Sequence, residues 1–184
     1  MPVQVAVIVG SLRKESFNRR VAEAIASLAP AELKFDFVEI GDLPLFNQDL
    51  EQTPPEQWVR FRKEVKAADA VLFATPEYNR SVPGVLKNAI DVGSRPYGSS
   101  VWNEKPAAVV SVSPGAIGGF GANHHLRQSL TFLNMPVLQQ PEAYLGNAGS
   151  FFDDEGKFKS EGTEKVLRTF AAAFAGWIQR TAKK

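Results

Sequence analysis

The chain has 184 residues, of which 44% are hydrophobic and 22% are charged, and its formal net charge is +1. This composition is typical of one ordinary globular domain, and the near-neutral charge argues against a broad nucleic-acid or membrane-surface footprint. The chain contains no cysteine, which excludes disulfides, thiol nucleophiles and thiolate metal sites. No apolar run approaches the ~20 residues of a membrane helix, and no secretory leader is recognisable. We therefore expect a cytoplasmic protein with neither a nucleic-acid nor a membrane partner.

Five segments have the composition of β-strands. The first is nearly continuous in β-branched residues, as in a strand covered on both faces, whereas the second alternates apolar and polar residues, as in a strand nearer the sheet edge. The third is apolar almost throughout, and the fourth runs into a glycine-rich turn. The predicted strands are 3–9, 33–40, 69–76, 106–115 and 135–141.

Segments in which apolar residues recur at helical spacing separate and follow these strands. In the middle segment Ser81 is a candidate helix cap and Gly93 a candidate stop. The predicted helices are 17–29, 56–68, the segment between Ser81 and Gly93, 121–133 and 162–181. The last helix is expected to bury a stripe formed by Val166, Phe170, Phe174 and Trp177.

Strand and helix alternate about five times along the chain, without an internal repeat or a linker. This pattern predicts parallel strands joined by right-handed crossovers, with helices on both faces of one sheet. We therefore predict the α/β class and a flavodoxin-like three-layer sandwich, with a five-stranded parallel sheet of order 2-1-3-4-5 in a single domain over residues 1–184. In that fold ligands lie at the carboxyl ends of the strands, beside the switch point between strands 1 and 3.

The loop after the first strand, "GSLRKESFN", has the donors that a phosphate needs. It opens a helix, whose N-terminus offers free backbone amides and a partial positive charge. Ser11, Ser16 and Asn18 add polar groups, and Arg13 adds a charged fork. Neither of the common glycine-rich nucleotide patterns is present, and no second glycine makes room for a pyrophosphate. The loop predicts a site for a terminal monophosphate, and the alternative is a solvated turn with a serine helix cap.

The loops after the third and fourth strands should face the same crevice. Residues 76–79, "PEYN", are expected to form a rigid ledge whose backbone groups meet the edge of a flat heterocycle. Ser113 and Gly115 follow the fourth strand and would reach the crevice from the other side, unless their segment is a flexible surface turn. We expect no metal site, because no acidic residue has a ligand spacing from His124 and His125. No nucleophile–base–acid arrangement can be assembled, so a bound cofactor is expected to perform the chemistry.

Three stretches, "GSLRKESFN", "PEYNRSVPGVLKNAID" and "SPGAIGG", together resemble the NAD(P)H-dependent FMN reductase family, and most closely its bacterial chromate and quinone reductases. The resemblance implies that FMN is the cofactor and that no side chain is itself catalytic. It implies a phosphate site formed by Ser11, Arg13, Ser16, Phe17 and Asn18. It implies isoalloxazine and ribityl contacts from Pro76, Glu77, Tyr78 and Asn79, completed by Ser113 and Gly115.

The resemblance also implies a reaction. NADPH or NADH would pass a hydride to FMN in a ping-pong scheme, and a small-molecule acceptor such as a quinone, chromate, an azo compound or free flavin would then take the electrons. Tyr78 and Arg80 are the candidates for shaping the substrate opening. The family forms homodimers or homotetramers, and Tyr78, Arg127 and Glu142 resemble a subunit contact, although both charges are also typical of solvated surface groups.

Two alternatives stay open from the residues alone. The first is a flavodoxin-like electron carrier without direct NAD(P)H activity, although such carriers tend to be strongly acidic and this chain is not. The second is a flavin-free binder of a nucleotide or phosphosugar in the same crevice.

Overall fold

A computed structural model describes residues 2–153 and 155–182. The strands are β1 (Val3–Val9), β2 (Leu33–Phe37), β3 (Ala70–Thr75), β4 (Ala107–Val112) and β5 (Ala143–Leu145). The helices are α1 (Phe17–Leu28), α2 (Glu56–Ala67), α3 (Gly84–Gly93), α4 (Phe120–Phe132) and α5 (Glu161–Thr181). Short 3₁₀ turns lie at Gln48–Leu50 and Ala148–Ser150.

All five strands pair in parallel, in the order β2-β1-β3-β4-β5. Strand β1 lies between β2 and β3, so that Val7 faces Phe37 on one side and Leu72 on the other. The predicted α/β class and strand order are confirmed. The chain reverses its direction of winding between β2 and β3, which places the switch point at the carboxyl ends of β1 and β3.

The sheet is covered on both faces, because alternate residues of each strand point to opposite sides. Val5 and Val7 pack against α1 and α5 in one hydrophobic core, whereas Ala6 and Ile8 pack against α2, α3 and α4 in a second core. The predicted three-layer sandwich is confirmed. In the described ranges no helix is both long and apolar enough to cross a membrane.

The predicted fifth strand, 135–141, is wrong, and the observed β5 begins at Ala143. Pro136 and Pro141 lack a backbone N–H and interrupt pairing at both ends of the predicted segment. Only Val137 makes a bridge there, beside Ala107 at the start of β4. The chain then turns and pairs with the end of β4 over just three residues.

Two helix details also differ from expectation. Helix α3 begins at Gly84 after Pro83 and has no side-chain cap, while the Ser81 hydroxyl lies 2.9 Å from His125 Nδ1. In α5 the buried stripe contains Leu167, and Val166 is 51% exposed. Phe170 and Phe174 are buried as predicted, whereas Val166 is exposed and Trp177 is only half-buried.

Candidate functional site

The structure brings three loops together at the carboxyl edge of the sheet: 10–16 after β1, 76–83 after β3 and 113–119 after β4. Two long-range hydrogen bonds connect them. Asn18 Nδ2 in the first turn of α1 donates to Val112 O at the end of β4, at 3.3 Å. The Ala122 amide in α4 donates to Glu77 Oε2 in the β3 loop, at 3.0 Å. These bonds hold the three loops next to one another, and the predicted crevice is the space between them.

The loop after β1 leaves hydrogen-bond donors available. Ser16 is buried and caps α1, since its Oγ accepts from the Arg19 amide at 3.3 Å. The Phe17 and Asn18 amides have no intrahelical acceptor, as in the first turn of any helix. Arg13 is exposed, and the central carbon of its guanidinium lies 5.9 Å from the centroid of the Phe17 ring. Arg13 forms no ion pair with the described residues. Two amides and one guanidinium can therefore meet an anion here.

Asn18 has a different position from the other phosphate candidates. The residue is 4% exposed, and its Nδ2 donates to Val112 O. Its Oδ1 is buried and has no hydrogen-bond partner among the described residues. A buried acceptor without a partner is costly, and a hydroxyl donor would satisfy it whereas a phosphate oxygen would not. The Asn18 side chain therefore fits the polyhydroxyl part of a ligand, next to the phosphate.

The loop after β3 is a tight turn. Tyr78 and Ser81 exchange two backbone hydrogen bonds of 3.1 and 3.0 Å, and the two residues between them have positive φ, 52° at Asn79 and 64° at Arg80. These values describe a type I′ turn, in which an arginine is unusual. The turn holds the backbone groups of residues 76–79 in one orientation, as a ledge for a flat ring requires. Tyr78, the first residue of this turn, is 47% exposed.

The loop after β4 is tied to the segment after β5. Ser113 Oγ accepts from the Gly115 amide at 3.0 Å, and Ser113 O accepts from the Ala148 amide at 3.1 Å. Gly115 O accepts from the Asn147 amide at 3.2 Å. Gly118 has φ +66°, and a Cβ there would lie 2.5 Å from the carbonyl carbon of Tyr144. These contacts favour an ordered wall of the crevice over the flexible surface turn.

Within one chain, the three residues predicted to form a subunit contact, Tyr78, Arg127 and Glu142, do not all lie together. Arg127 binds within the chain, donating from Nε to Asn123 Oδ1 and from Nη1 to Leu138 O, both at 2.8 Å. Burial lowers the pKa of Arg127, while Tyr144 and Glu142 oppose this shift. Glu142 thus lies near Tyr144 and Arg127, whereas Tyr78 lies on the turn after β3.

Sequence reasoning missed a cluster of three rings beside the β4 loop. Phe120 lies 4.3 Å from His124 and 5.1 Å from Tyr144 between ring centroids, and the Tyr144 hydroxyl lies 3.0 Å from His124 Nε2. Burial raises the pKa of Tyr144, and the hydrogen bond and negative charge of Glu142 raise it further. Two of the three rings lie in α4 and the third lies in β5, 20 residues after His124, so no sequence spacing indicated the cluster. No group of three or more potential metal-ligating side chains occurs among the described residues.

Together these features fit a phosphorylated ligand with a flat ring. The α1 amides and Arg13 suit the phosphate, Asn18 Oδ1 suits a hydroxyl, and the ledge after β3 suits the edge of a ring. FMN contains these three parts in this order.

Removing the Arg13 charge should test the phosphate part of this assignment. We expect Arg13→Ala to weaken FMN binding by about 1.5–3 kcal/mol, the usual loss for one charge-assisted hydrogen bond, and to leave the stability of the cofactor-free protein unchanged. Titration of the apoprotein with FMN, followed by quenching of flavin fluorescence, measures the effect. Lys14→Ala, which removes a neighbouring exposed charge, is the control, and equal FMN affinity in both variants would exclude Arg13 from the site.

Comparison with known proteins agrees with this geometry. Residues 3–150 match the family model described as NADPH-dependent FMN reductase. The chain is 65% identical to a quinone reductase from Pseudomonas putida strain KT2440 over 176 residues, covering 95% of this chain and 94% of that protein. It is 48% identical to a 2-hydroxy-1,4-benzoquinone reductase from a Burkholderia species, covering 97% of this chain and 98% of that protein.

A solved structure gives the same result. The flavoenzyme NAD(P)H:(acceptor) oxidoreductase FerB from Paracoccus denitrificans superposes with a TM-score of 0.93 at 42% identity, covering 98% of this chain and 100% of that chain. The family match, the identities and the superposition each extend over most of the chain, including the three loops. The chain therefore belongs to the NADPH-dependent FMN reductase family.

Proposed function

We propose that the protein uses NADPH or NADH to reduce quinones through bound FMN in a ping-pong reaction, with residues 1–184 acting as one FMN-binding domain. The observation that carries this proposal is the convergence of the three loops, with free amides, Arg13 and an unpaired buried acceptor in one crevice. FMN, when bound, supplies the capacity to accept a hydride and to release two electrons. The quinone reductases among the relatives support the same acceptor class.

The chain's own residues bind and orient rather than transfer protons. Ser11, Arg13 and the first α1 amides hold the phosphate, and Asn18 accepts a ribityl hydroxyl. Pro76, Glu77, Tyr78 and Asn79 present backbone groups to the isoalloxazine, and Ser113 and Gly115 close the opposite side. We place Tyr78 and Arg80 at the substrate opening, since both are exposed on the turn.

The surface around the crevice favours an apolar, planar acceptor. Each of the three loops or its following helix presents a large exposed apolar side chain: Leu12 is 59% exposed, Ile117 60%, Phe120 48% and Tyr78 47%. Exposed apolar side chains on the loops assigned to the cofactor favour an apolar ligand. The Arg80 guanidinium faces Glu77 at 3.4 Å, which reduces its attraction for an oxyanion. We therefore rank quinones above chromate, with azo compounds and free flavin as further acceptors.

Anaerobic reduction tests the proposal. The purified protein should be yellow or should become yellow with FMN, and NADPH or NADH should bleach it in a stopped-flow instrument. A benzoquinone added next should restore the colour, and chromate should do so more slowly. A flavodoxin-like carrier would bind FMN but would not be reduced without a partner reductase. A protein that takes up no FMN would instead support the flavin-free binder.

A homodimer or homotetramer forms part of the proposal. A groove of about 630 Å³ lies between α3 and α4, lined by residues of both helices that include Ile90 and Phe132. Phe132 is 89% exposed, an unusual position for a phenylalanine. Light scattering during size-exclusion chromatography measures the oligomeric state, and we expect Phe132→Glu to shift it toward the monomer. Leu45→Glu, at another highly exposed apolar residue, should have no such effect, and an unchanged state in Phe132→Glu would place the interface elsewhere.

The proposed electron donor, NADPH or NADH, also indicates the cellular compartment in which the protein works. Both are intracellular reductants, so we propose that the protein works in the cytoplasm on small molecules, without nucleic-acid or membrane partners.

A further inference from the structure

The carboxylate of Glu77 connects two of the loops that form the crevice. Its side chain is 13% exposed, and its Oε2 accepts a hydrogen bond of 3.0 Å from the amide of Ala122. Its Oε1 lies 3.4 Å from Arg80 Nη1. The Glu77 carboxylate therefore points toward the N-terminus of α4.

Helix α4 depends on this contact for its cap. The residue before the helix, Gly119, has φ +74° and no side chain, and no side-chain cap comes from the helix itself. Uncapped amides in a first turn are unfavourable when they are partly buried, and a carboxylate near a helix N-terminus is additionally stabilised by the helix dipole. Ala122 is the third residue of α4. The amide at this position is one of those that normally donate a hydrogen bond to the capping side chain. Glu77 thus supplies from another loop the cap that α4 lacks.

The two segments also fit closely around this bond. A Cβ on Gly121 would lie 2.9 Å from Arg80 O and 3.0 Å from Glu77 Oε2, so only glycine allows the approach. One turn further along α4, the His125 ring bonds the Ser81 hydroxyl at 2.9 Å. The turn at 78–81 and the start of α4 therefore behave as one unit with Glu77 at its centre.

We propose that Glu77 is a positioning residue, which holds the turn after β3 at the orientation that hydride transfer requires by capping α4. This inference rests on the proposed function, because the turn is the part of the site assigned to the flavin ring. In the proposed site the main chain of Glu77 contacts the ring, while its side chain binds the helix. The negative charge is compensated by the α4 N-terminus and Arg80, so it does not oppose electron transfer to the ring.

Variants that keep or remove the cap test the proposal. In stopped-flow experiments at saturating FMN and NADPH, Glu77→Ala should lower the rate constant of flavin reduction at least tenfold and should shift the flavin absorption bands. Glu77→Gln should restore most of the rate, because its amide oxygen can accept from Ala122 while the exposed Arg80 side chain turns into solvent. A wild-type rate in Glu77→Ala, or a Gln variant as slow as the Ala variant, would overturn the proposal.

Two further measurements separate positioning from general stability. Ser160→Ala removes the hydroxyl that caps α5 by accepting from the Thr163 amide at 3.2 Å, and it should leave the reduction rate unchanged. Hydrogen exchange of the Ala122 amide should accelerate in Glu77→Ala and not in Ser160→Ala, and equal protection in all variants would refute the cap. If the wild-type protein is not reduced by NADPH, the proposed function fails, and the exchange of Ala122 still decides whether Glu77 caps α4.

Discussion

Replacing Gly118 by valine is expected to abolish FMN binding at micromolar concentrations and to destabilise the protein by about 2–6 kcal/mol. Two costs add at this position. A residue with a branched Cβ is strained at φ +66°, and the Cβ would meet the backbone of Tyr144, with its carbonyl carbon at 2.5 Å and its oxygen at 2.7 Å. Backbone atoms of a paired strand cannot move aside, so the β4 loop must shift, together with Ser113 and Gly115.

Urea unfolding and FMN titration measure both effects. Gly149→Val is the matched control, since no atom lies within 4 Å of its Cβ position and its φ is not positive. We expect that control to retain FMN and to lose less than about 1 kcal/mol. If Gly118→Val bound FMN as tightly as the wild type, the wall formed by the β4 loop would be unnecessary for the cofactor.

The fold was predictable because its signals are local and repeated. Alternating strand and helix segments determine parallel pairing, and the composition of β1 indicates burial on both faces. Strand β5 escaped prediction because it has only three residues, and because the more apolar segment before it contains the two prolines that interrupt pairing.

The site was predictable only as a set of loops. Topology alone places the loops after β1, β3 and β4 at one edge of the sheet, and the residue types there suggest a phosphate and a flat ring. The bonds within the site span long sequence separations, such as 94 residues between Asn18 and Val112 and 45 between Glu77 and Ala122. No periodicity or motif encodes such a pair. The hydrogen bond from the Asn18 side chain to Val112 O and the capping of α4 by Glu77 could therefore be recognised only in the three-dimensional structure.

The core between β3 and helices α2 and α3 leads to the second large effect. Trp102 is fully buried, contacts the rings of Phe61 in α2 and Phe73 in β3, and donates from Nε1 to Ile90 O in α3 at 2.9 Å. One side chain thereby joins two helices to the strand that leads to the turn at 78–81. Trp102→Ala should lower the free energy of unfolding by about 3–5 kcal/mol, through lost apolar burial, a cavity and one lost hydrogen bond. Ile90 O keeps a second donor, the Ser94 amide at 3.0 Å.

Comparing apoprotein and FMN-bound protein in this variant distinguishes a core effect from a site effect. If Trp102 acts through the core, urea denaturation should give the same destabilisation with and without saturating FMN, because a ligand stabilises both proteins equally when its affinity is unchanged. Trp102→Phe keeps most of the apolar volume and loses the hydrogen bond, so it should cost less than Trp102→Ala. A larger loss in the FMN-bound protein would instead mean that α3 transmits the damage to the flavin ledge, and Trp102 would then belong to the support of the site as well as to the core.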